Sequence, residues 1–288
     1  MTGGWLVTGA GGMLGVEVTD VLREQGVPFT GLARSDLDVT DAEAVAAALD
    51  RHRPDVVVNC AAWTAVDDAE SQEDAAARVN GDGPAHLARA CARTGARLLH
   101  VSTDYVFSGD ADTPYAEDAP TGPRTAYGRT KLAGERAVRE LHPDGGYVVR
   151  TAWLYGAHGG NFVATMLRLE GERPTVDVVA DQHGQPTWAA DVADRLVALG
   201  LSDAPAGVYH ATNGGSASWY ELAREVFTLA GADAARVHRT TSEAFTRPAP
   251  RPAYSVLAST AAERYGLPPM RHWRDALAAA VPAFLVAT

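Results

Sequence analysis

The chain has 288 residues, 46% of them hydrophobic and 21% charged, and carries a net charge of −11. That length suits one large domain or a major and a minor lobe, and the acidic balance repels phosphate backbones, which excludes nucleic acid as a general partner. No apolar run approaches the roughly 20 residues of a membrane span, so no membrane partner is expected.

Met1-Thr2-Gly3-Gly4 leads directly into a strand-like segment, without the basic and hydrophobic parts of a signal peptide, and a cytoplasmic location is expected. Trp5-Leu6-Val7-Thr8 reads as the first strand. A helix follows from about Met13 to Gln25, with Leu14, Val18, Val21 and Leu22 on one apolar stripe. A second strand lies near Phe29 to Ala33. The next helix starts at Thr40, read as its cap, with Glu43 in the capping-box position. Asp55 to Asn59 is an apolar strand of the kind covered on both faces in a parallel sheet. A long Ala-rich helix ends near Thr94-Gly95, and strands follow at Arg97 to Ser102 and Tyr147 to Arg150. The two cysteines, Cys60 and Cys91, sit in apolar stretches and read as reduced core residues.

This alternation predicts an α/β fold, a doubly wound parallel Rossmann sheet. Residues 1–150 form its dinucleotide-binding part, rejoined by about 175–212, and 151–288 form mainly a smaller interleaved substrate lobe. Later strands are predicted at Thr175 to Val179 and Gly207 to His210, with helices at 188–200, 218–230 and 272–281. Thr246 to Pro252 holds three prolines, which fix φ and remove donors, so it reads as a rigid loop carrying Arg247 and Arg251.

Between the first strand and first helix, Gly9, Gly12 and Gly15 are spaced for a phosphate loop. Such glycines allow a tight turn, close approach of a pyrophosphate, and close helix–strand packing. The helix N-terminus, at Met13 and Leu14, offers free amides and a positive dipole end. Such a triplet is weak evidence alone and gains weight from its strand–turn–helix context. At the end of the second strand, an acidic residue such as Asp36 or Asp38 favours the ribose hydroxyls of NAD, and an arginine accommodates the extra phosphate of NADP. Arg34 inclines the reading toward NADPH, the alternative being a solvated surface arginine.

Tyr127 and Lys131 form a Tyr-x-x-x-Lys pair on one helical face. A tyrosine titrates near 10, too high for efficient proton transfer at neutral pH, and a nearby ammonium is expected to lower it. The spacing alone is common. Ser102-Thr103 at the end of the fourth strand adds a hydroxyl where ligands bind in open α/β sheets.

These stretches resemble the extended short-chain dehydrogenase/reductase family and, within it, the dTDP-4-dehydrorhamnose reductases. The resemblance runs through nearly the whole chain: Arg53 to Ala62, Thr64 to Asp67, the more specific Ser102-Thr103-Asp104-Tyr105-Val106-Phe107, Tyr127 to Glu135, Arg150 to Gly156, Asp181 to Thr187, and Arg251-Pro252. It implies reduction of the C4 keto group of a dTDP-4-keto-6-deoxy-L-sugar with NADPH or NADH. It also implies that Thr103, Tyr127 and Lys131 are the catalytic triad, with Thr103 rather than Ser102 touching substrate, Tyr127 and Lys131 also holding the cofactor, and Ala61 and Ala62 lying against it. Asp104, Tyr105 and Trp153 would then line the sugar pocket, although Trp153 also reads as core packing. Asn161 is open between a turn residue and a substrate contact, and Arg251 between a diphosphate clamp and a loop arginine.

Some members carry glutamates that bind magnesium at a dimer interface. Glu17 matches one, but Ala190 stands where a second is expected and no glutamate follows Glu263, so no metal is expected and a monomer or a homodimer stays open. Competing readings are a related nucleotide-sugar reductase such as a dihydrostreptose synthase, an epimerase or dehydratase on the same fold, and a non-catalytic regulatory subunit. Asp104-Tyr105 in place of Asp-Glu argues against a dehydratase, and the intact triad against a pure binding module.

Overall fold

A computed structural model describes residues 4–286; the reading of the first residues as leaderless falls partly on 1–3, outside the described residues. The strands β1 (Trp5–Thr8), β2 (Phe29–Leu32), β3 (Val56–Asn59), β4 (Arg97–Thr103) and β5 (Gly146–Thr151) alternate with α1 (Met13–Glu24), α2 (Ala42–His52) and three further helices. The latter are α3 (Val66–Ala69), α4 (Glu73–Ala77) and α5 (Gly83–Thr94), followed beyond β4 by α6 (Ala126–Leu141). β6 (Leu154–Tyr155), α7 (Phe162–Glu172), β7 (Val176–Val179), β8 (His183–Gly184), β9 (Thr187–Trp188) and α8 (Ala189–Leu201) come next. The chain ends through β10 (Gly207–His210), β11 (Ala217–Ser218), α9 (Trp219–Leu229), β12 (Val237–Thr240), α10 (Ala261–Arg264) and α11 (Trp273–Val286).

Six strands form one sheet in the order β10-β5-β4-β3-β1-β2, every pair parallel. Its strands are apolar on both sides because both faces are covered. Leu14, Val18 and Leu22 of α1 meet Val192, Leu196 and Val197 of α8 on one face. Val45 and Leu49 of α2 meet Leu87 and Cys91 of α5 on the other. Each such side chain fully removed from water contributes roughly 1.5–3 kcal/mol. The order reverses between β1 and β3, and that switch point opens a crevice at the strands' carboxyl ends.

Three local expectations are corrected. Asp41, not Thr40, caps α2: its carboxylate accepts the amides of Glu43 and Ala44 at 2.9 and 3.0 Å, whereas the Thr40 amide and hydroxyl both go to Asp38. The long Ala-rich helix is broken into α3, α4 and α5, with a π turn over Arg78–Asp82. Pro84 has no amide to give the Asn80 carbonyl four residues back, so the turn widens. Of the stretch 175–212, β10 enters the sheet beside β5, but β7 pairs with β12 outside it. In β7 the buried Val176 and Val178 flank an exposed Asp177, a one-sided pattern that a doubly covered sheet would not tolerate. A second core, built on Val163, Met166, Leu222, Phe227, Trp273 and Leu277, lies among α7, α9 and α11.

Candidate active site

The glycine loop forms one wall of the crevice. Gly9 has φ +66°, and a Cβ there would stand 2.6 Å from the Ala61 amide nitrogen. A Cβ on Gly15 would stand 2.2 Å from the Gly9 carbonyl oxygen. Gly12 is the N-cap of α1 and supplies no side-chain acceptor, which leaves the first-turn amides of Met13, Leu14 and Gly15 to an external anion. The cavity in front of the loop measures about 630 Å³ and is lined by Gly9, Gly12, Arg34, Asp38, Ala61 and Ala62 among others. Cys60 lines it too and is only half-buried, so it is a wall residue and not the core residue expected; Cys91 is buried and both are free thiols. The far wall is fixed from within. Thr8 donates to Asn59 Oδ1 at 2.7 Å, Asn59 Nδ2 lies 3.0 Å from His100 Nδ1, and the Ala61 amide donates to Asn59 Oδ1. Burial holds His100 well below its ordinary pKa, so its neutral ring accepts the Asn59 amide.

Beyond β2, Asp36 accepts the Ala33 amide at 2.9 Å. Asp38 accepts from the Thr40 amide and hydroxyl, and these bonds hold its carboxyl below the usual range. Both carboxylates are thus occupied in the turn, while Arg34 stands exposed on the cavity wall.

Beyond β4, Thr125 caps α6 by accepting the Gly128 amide, which starts the helix one residue before Tyr127. Gly128 is required there, because a Cβ would stand 2.2 Å from the Tyr105 carbonyl oxygen. Thr103 ends β4 opposite Thr151 of β5. Its side chain is hydrogen-bonded to Tyr127 and donates to Asp104 Oδ1 at 2.9 Å. The Tyr105 ring meets the Tyr127 ring edge-on at 5.6 Å. Lys131, 2% exposed, donates to the Val101 carbonyl at 2.6 Å.

Electrostatics depart from the expectation for tyrosine. Burial pushes the Tyr127 hydroxyl up to about 12, against the Thr103 hydrogen bond, so it is held as a neutral phenol. Burial brings Lys131 down to about 8, opposed by Glu135, and its ammonium faces a strand carbonyl. Burial also raises Asp104 to about 6. A phenol that keeps its proton suits a proton donor better than a base.

The remaining expected residues divide. Trp153 is half-buried with φ +46°, a conformation that costs about 1–3 kcal/mol for a bulky side chain, and its indole stacks on Trp219 at 3.5 Å. Asn161 is the N-cap of α7: Oδ1 accepts the Ala164 amide, and Nδ2 donates to the carbonyls of Gly156 and Gly159. Arg251 makes a two-pronged ion pair with Asp67 at 2.8 and 2.9 Å, tying the proline loop to α3. Burial raises the Asp67 carboxyl, but the Arg251 and Ala249 hydrogen bonds outweigh it and hold the group low.

Sequence reasoning gave no role to Asn80, Glu135 or Arg150. Asn80 accepts the Trp63 amide and donates to Trp63 and Thr130, joining the wall after β3 to α6. Glu135 and Arg150 pair beneath Lys131. Their types signalled nothing, because their partners lie far away in sequence.

The chain matches the family described as RmlD substrate binding domain over residues 4–286. It is 62% identical to a dTDP-4-dehydrorhamnose reductase of Streptomyces griseus, over 97% of this chain and 93% of the relative. It is 52% identical to a dTDP-4-keto-6-deoxy-D-glucose reductase of Streptomyces niveus, over 98% of each. Among solved structures, the dTDP-4-dehydrorhamnose reductase of Bacillus anthracis in complex with NADP superposes with a TM-score of 0.91 at 36% identity, covering 100% of both chains. With a parallel six-stranded sheet, a glycine-lined crevice and a family match that spans residues 4–286, the chain belongs to the dTDP-4-dehydrorhamnose reductase family.

Proposed function

We propose that the protein is a cytoplasmic NAD(P)H-dependent reductase of the C4 keto group of dTDP-4-keto-6-deoxy-L-sugars, giving dTDP-L-rhamnose. The arrangement that carries this reading is the Tyr127 side chain of α6 hydrogen-bonded to Thr103 at the end of β4, together with helix α1, whose first turn has no side-chain cap. The crevice fits a dinucleotide: Gly9 and Gly15 let the loop, the helix end and the Ala61 wall approach more closely than a Cβ would allow, and the α1 amides have no side-chain cap. Residues 1–150, rejoined through β10, would hold the dinucleotide, and residues 151–288 mainly the sugar nucleotide.

In this reading Met13, Leu14 and Gly15 direct their amides at the pyrophosphate, and Ala61 and Ala62 form the opposite wall. Arg34 meets a 2′-phosphate, which favours NADPH. Asp38 supports the Arg34 turn, since its carboxylate is already engaged by Thr40. The reduced nicotinamide, when bound, supplies the hydride. Thr103 orients the substrate carbonyl, and Tyr127 gives its proton to the oxygen as negative charge develops there. The phenolate left behind is stabilised by the Lys131 ammonium and regains its proton from solvent. Asp104, Tyr105 and Trp153 line the sugar subsite. Arg251 serves the diphosphate from its seat on Asp67, and Asn161 shapes the pocket through its cap of α7.

The reading is tested by following loss of the reduced-nicotinamide absorbance with NADPH or NADH and freshly generated dTDP-4-keto-L-rhamnose. Stoichiometric oxidation with dTDP-L-rhamnose as product is expected, and Tyr127→Phe should slow it by about 10²–10⁴-fold while leaving cofactor binding intact. Full turnover by that variant would remove Tyr127 as proton donor. The Streptomyces niveus relative supports a second reading, reduction of an isomeric dTDP-keto-sugar by the same groups. Failure with the L-keto-sugar and turnover of dTDP-4-keto-6-deoxy-D-glucose would favour it.

A further inference from the structure

Trp153 is one of two described non-glycine residues with positive φ, the other being a helix C-cap, Arg53. A bulky residue stays in that conformation only when its surroundings fix it, and here the surroundings are specific. The Trp153 and Trp219 indoles are parallel within 3°, with centroids 3.5 Å apart. Gly184 lies against the same indole so closely that a Cβ would stand 2.3 Å from its Cε2. Trp219 is itself secured. It opens α9 behind the capping box of Ser218 and Glu221, and its indole nitrogen donates to Gln182 Oε1 at 3.1 Å. Gln182 in turn donates to Ser242.

This seat adjoins the catalytic cluster. Trp153 follows Thr151, the strand partner of Thr103, by two residues. The His183 carbonyl, beside Gly184, accepts the Ser255 amide, and the Trp153 carbonyl accepts the Thr187 amide. We infer that Trp219 and Gly184 are positioning residues for the sugar subsite, which clamp the Trp153 indole in the one orientation that meets the hexose ring. Aromatic faces and edges contact the apolar C–H surface of a deoxysugar, so the clamp sets recognition of the sugar and leaves the nucleotide to other residues. The inference rests on the reductase reading.

The test compares binding of dTDP and of dTDP-L-rhamnose to the NADP-loaded protein by calorimetry, for wild type, Trp219→Ala, Trp219→Phe and Gly184→Ala. Trp219→Ala should weaken dTDP-L-rhamnose by about tenfold or more and dTDP by less than about twofold. Trp219→Phe should recover most of the loss by restoring an aromatic face. Gly184→Ala should reproduce the selective loss by pressing on the Trp153 indole at Cε2, Nε1 and Cζ2 while Trp219 itself is unaltered, which keeps the inference testable if Trp219→Ala does not fold. Equal weakening of both ligands, or of neither, in a folded variant would overturn the clamp. Wild type that binds dTDP but not dTDP-L-rhamnose, and reduces no keto-sugar, would overturn the reductase reading and the inference with it.

Discussion

Glu135 and Arg150 form a two-pronged ion pair almost sealed from solvent, with Nε to Oε1 at 2.9 Å, Nη2 to Oε2 at 2.7 Å and side chains 2% and 4% exposed. The Ser102 hydroxyl donates to the same Oε1 at 2.5 Å, and Ser102 pairs with Arg150 across β4 and β5. Glu135 lies one helical turn beyond Lys131, and Ser102 immediately precedes Thr103. The pair therefore joins the helix that carries Tyr127 and Lys131 to the strand that carries Thr103. Burying two charges gives little net stability against a well-packed apolar pair, so the value of this one is positional.

Glu135→Gln leaves Arg150 buried beside a neutral amide and should cost about 3–5 kcal/mol in denaturant unfolding. The double replacement Glu135→Leu with Arg150→Met should recover much of that stability and little of the turnover. A double variant with wild-type turnover would show that the pair does not position the site.

The Lys131 ammonium gives a pH dependence with two opposite signs. Its pKa is lowered from 10.5 to about 8, mainly by burial. On the proposed mechanism turnover should thus fall as pH rises through about 8, when the Lys131 cation that would stabilise the Tyr127 phenolate is lost. Stability should move the other way. Between about 8 and 10.5 the unfolded chain binds the proton that the folded chain has released, so this group's contribution improves with rising pH. Below about 8 both states are protonated and the burial penalty is at its full value. Lys131→Met should therefore abolish turnover without destabilising the fold at pH 7, as read by thermal melts; a strongly lowered melting temperature would contradict this.

Gly15→Ala would place a Cβ 2.2 Å from the Gly9 carbonyl oxygen and 2.8 Å from the Ala10 Cα. Both atoms are backbone and have no rotamer to escape into. The N-terminus of α1 must back away from the loop, and loss of one amide-to-phosphate hydrogen bond there should weaken NADPH binding by about tenfold or more. Fluorescence titration with NADPH measures it, and unchanged affinity would mean that the dinucleotide does not use this helix end.

Arg34 stands exposed on the cavity wall, while the carboxylates of Asp36 and Asp38 are engaged in their own turn. Arg34→Ala should raise KM for NADPH by roughly tenfold, the size of one charge-assisted phosphate contact, and leave KM for NADH nearly unchanged. Equal effects on both cofactors would assign Arg34 a structural role.

Signals within one turn of helix or one strand were legible in the sequence. The strand–Gly9/Gly12/Gly15–helix unit, the Tyr127 and Lys131 pair and the hydroxyl of Thr103 are local patterns with local geometry, and the apolar strands dictate a sheet covered on both faces. The sequence by itself thus determined the parallel sheet and its glycine-lined crevice, and it singles out Thr103, Tyr127 and Lys131 as the candidate reacting side chains. The tertiary structure decided what long-range neighbours do to them. Burial raises Tyr127 instead of lowering it, and Pro84 widens the turn before α5 into a π turn. Asp67, far from Arg251 in sequence, claims its guanidinium, and Trp219 with Gly184 hold Trp153 in a backbone state its own residue type disfavours. Each of these is a contact between distant segments or a loss of solvent, and such effects exist only once the chain has closed on itself.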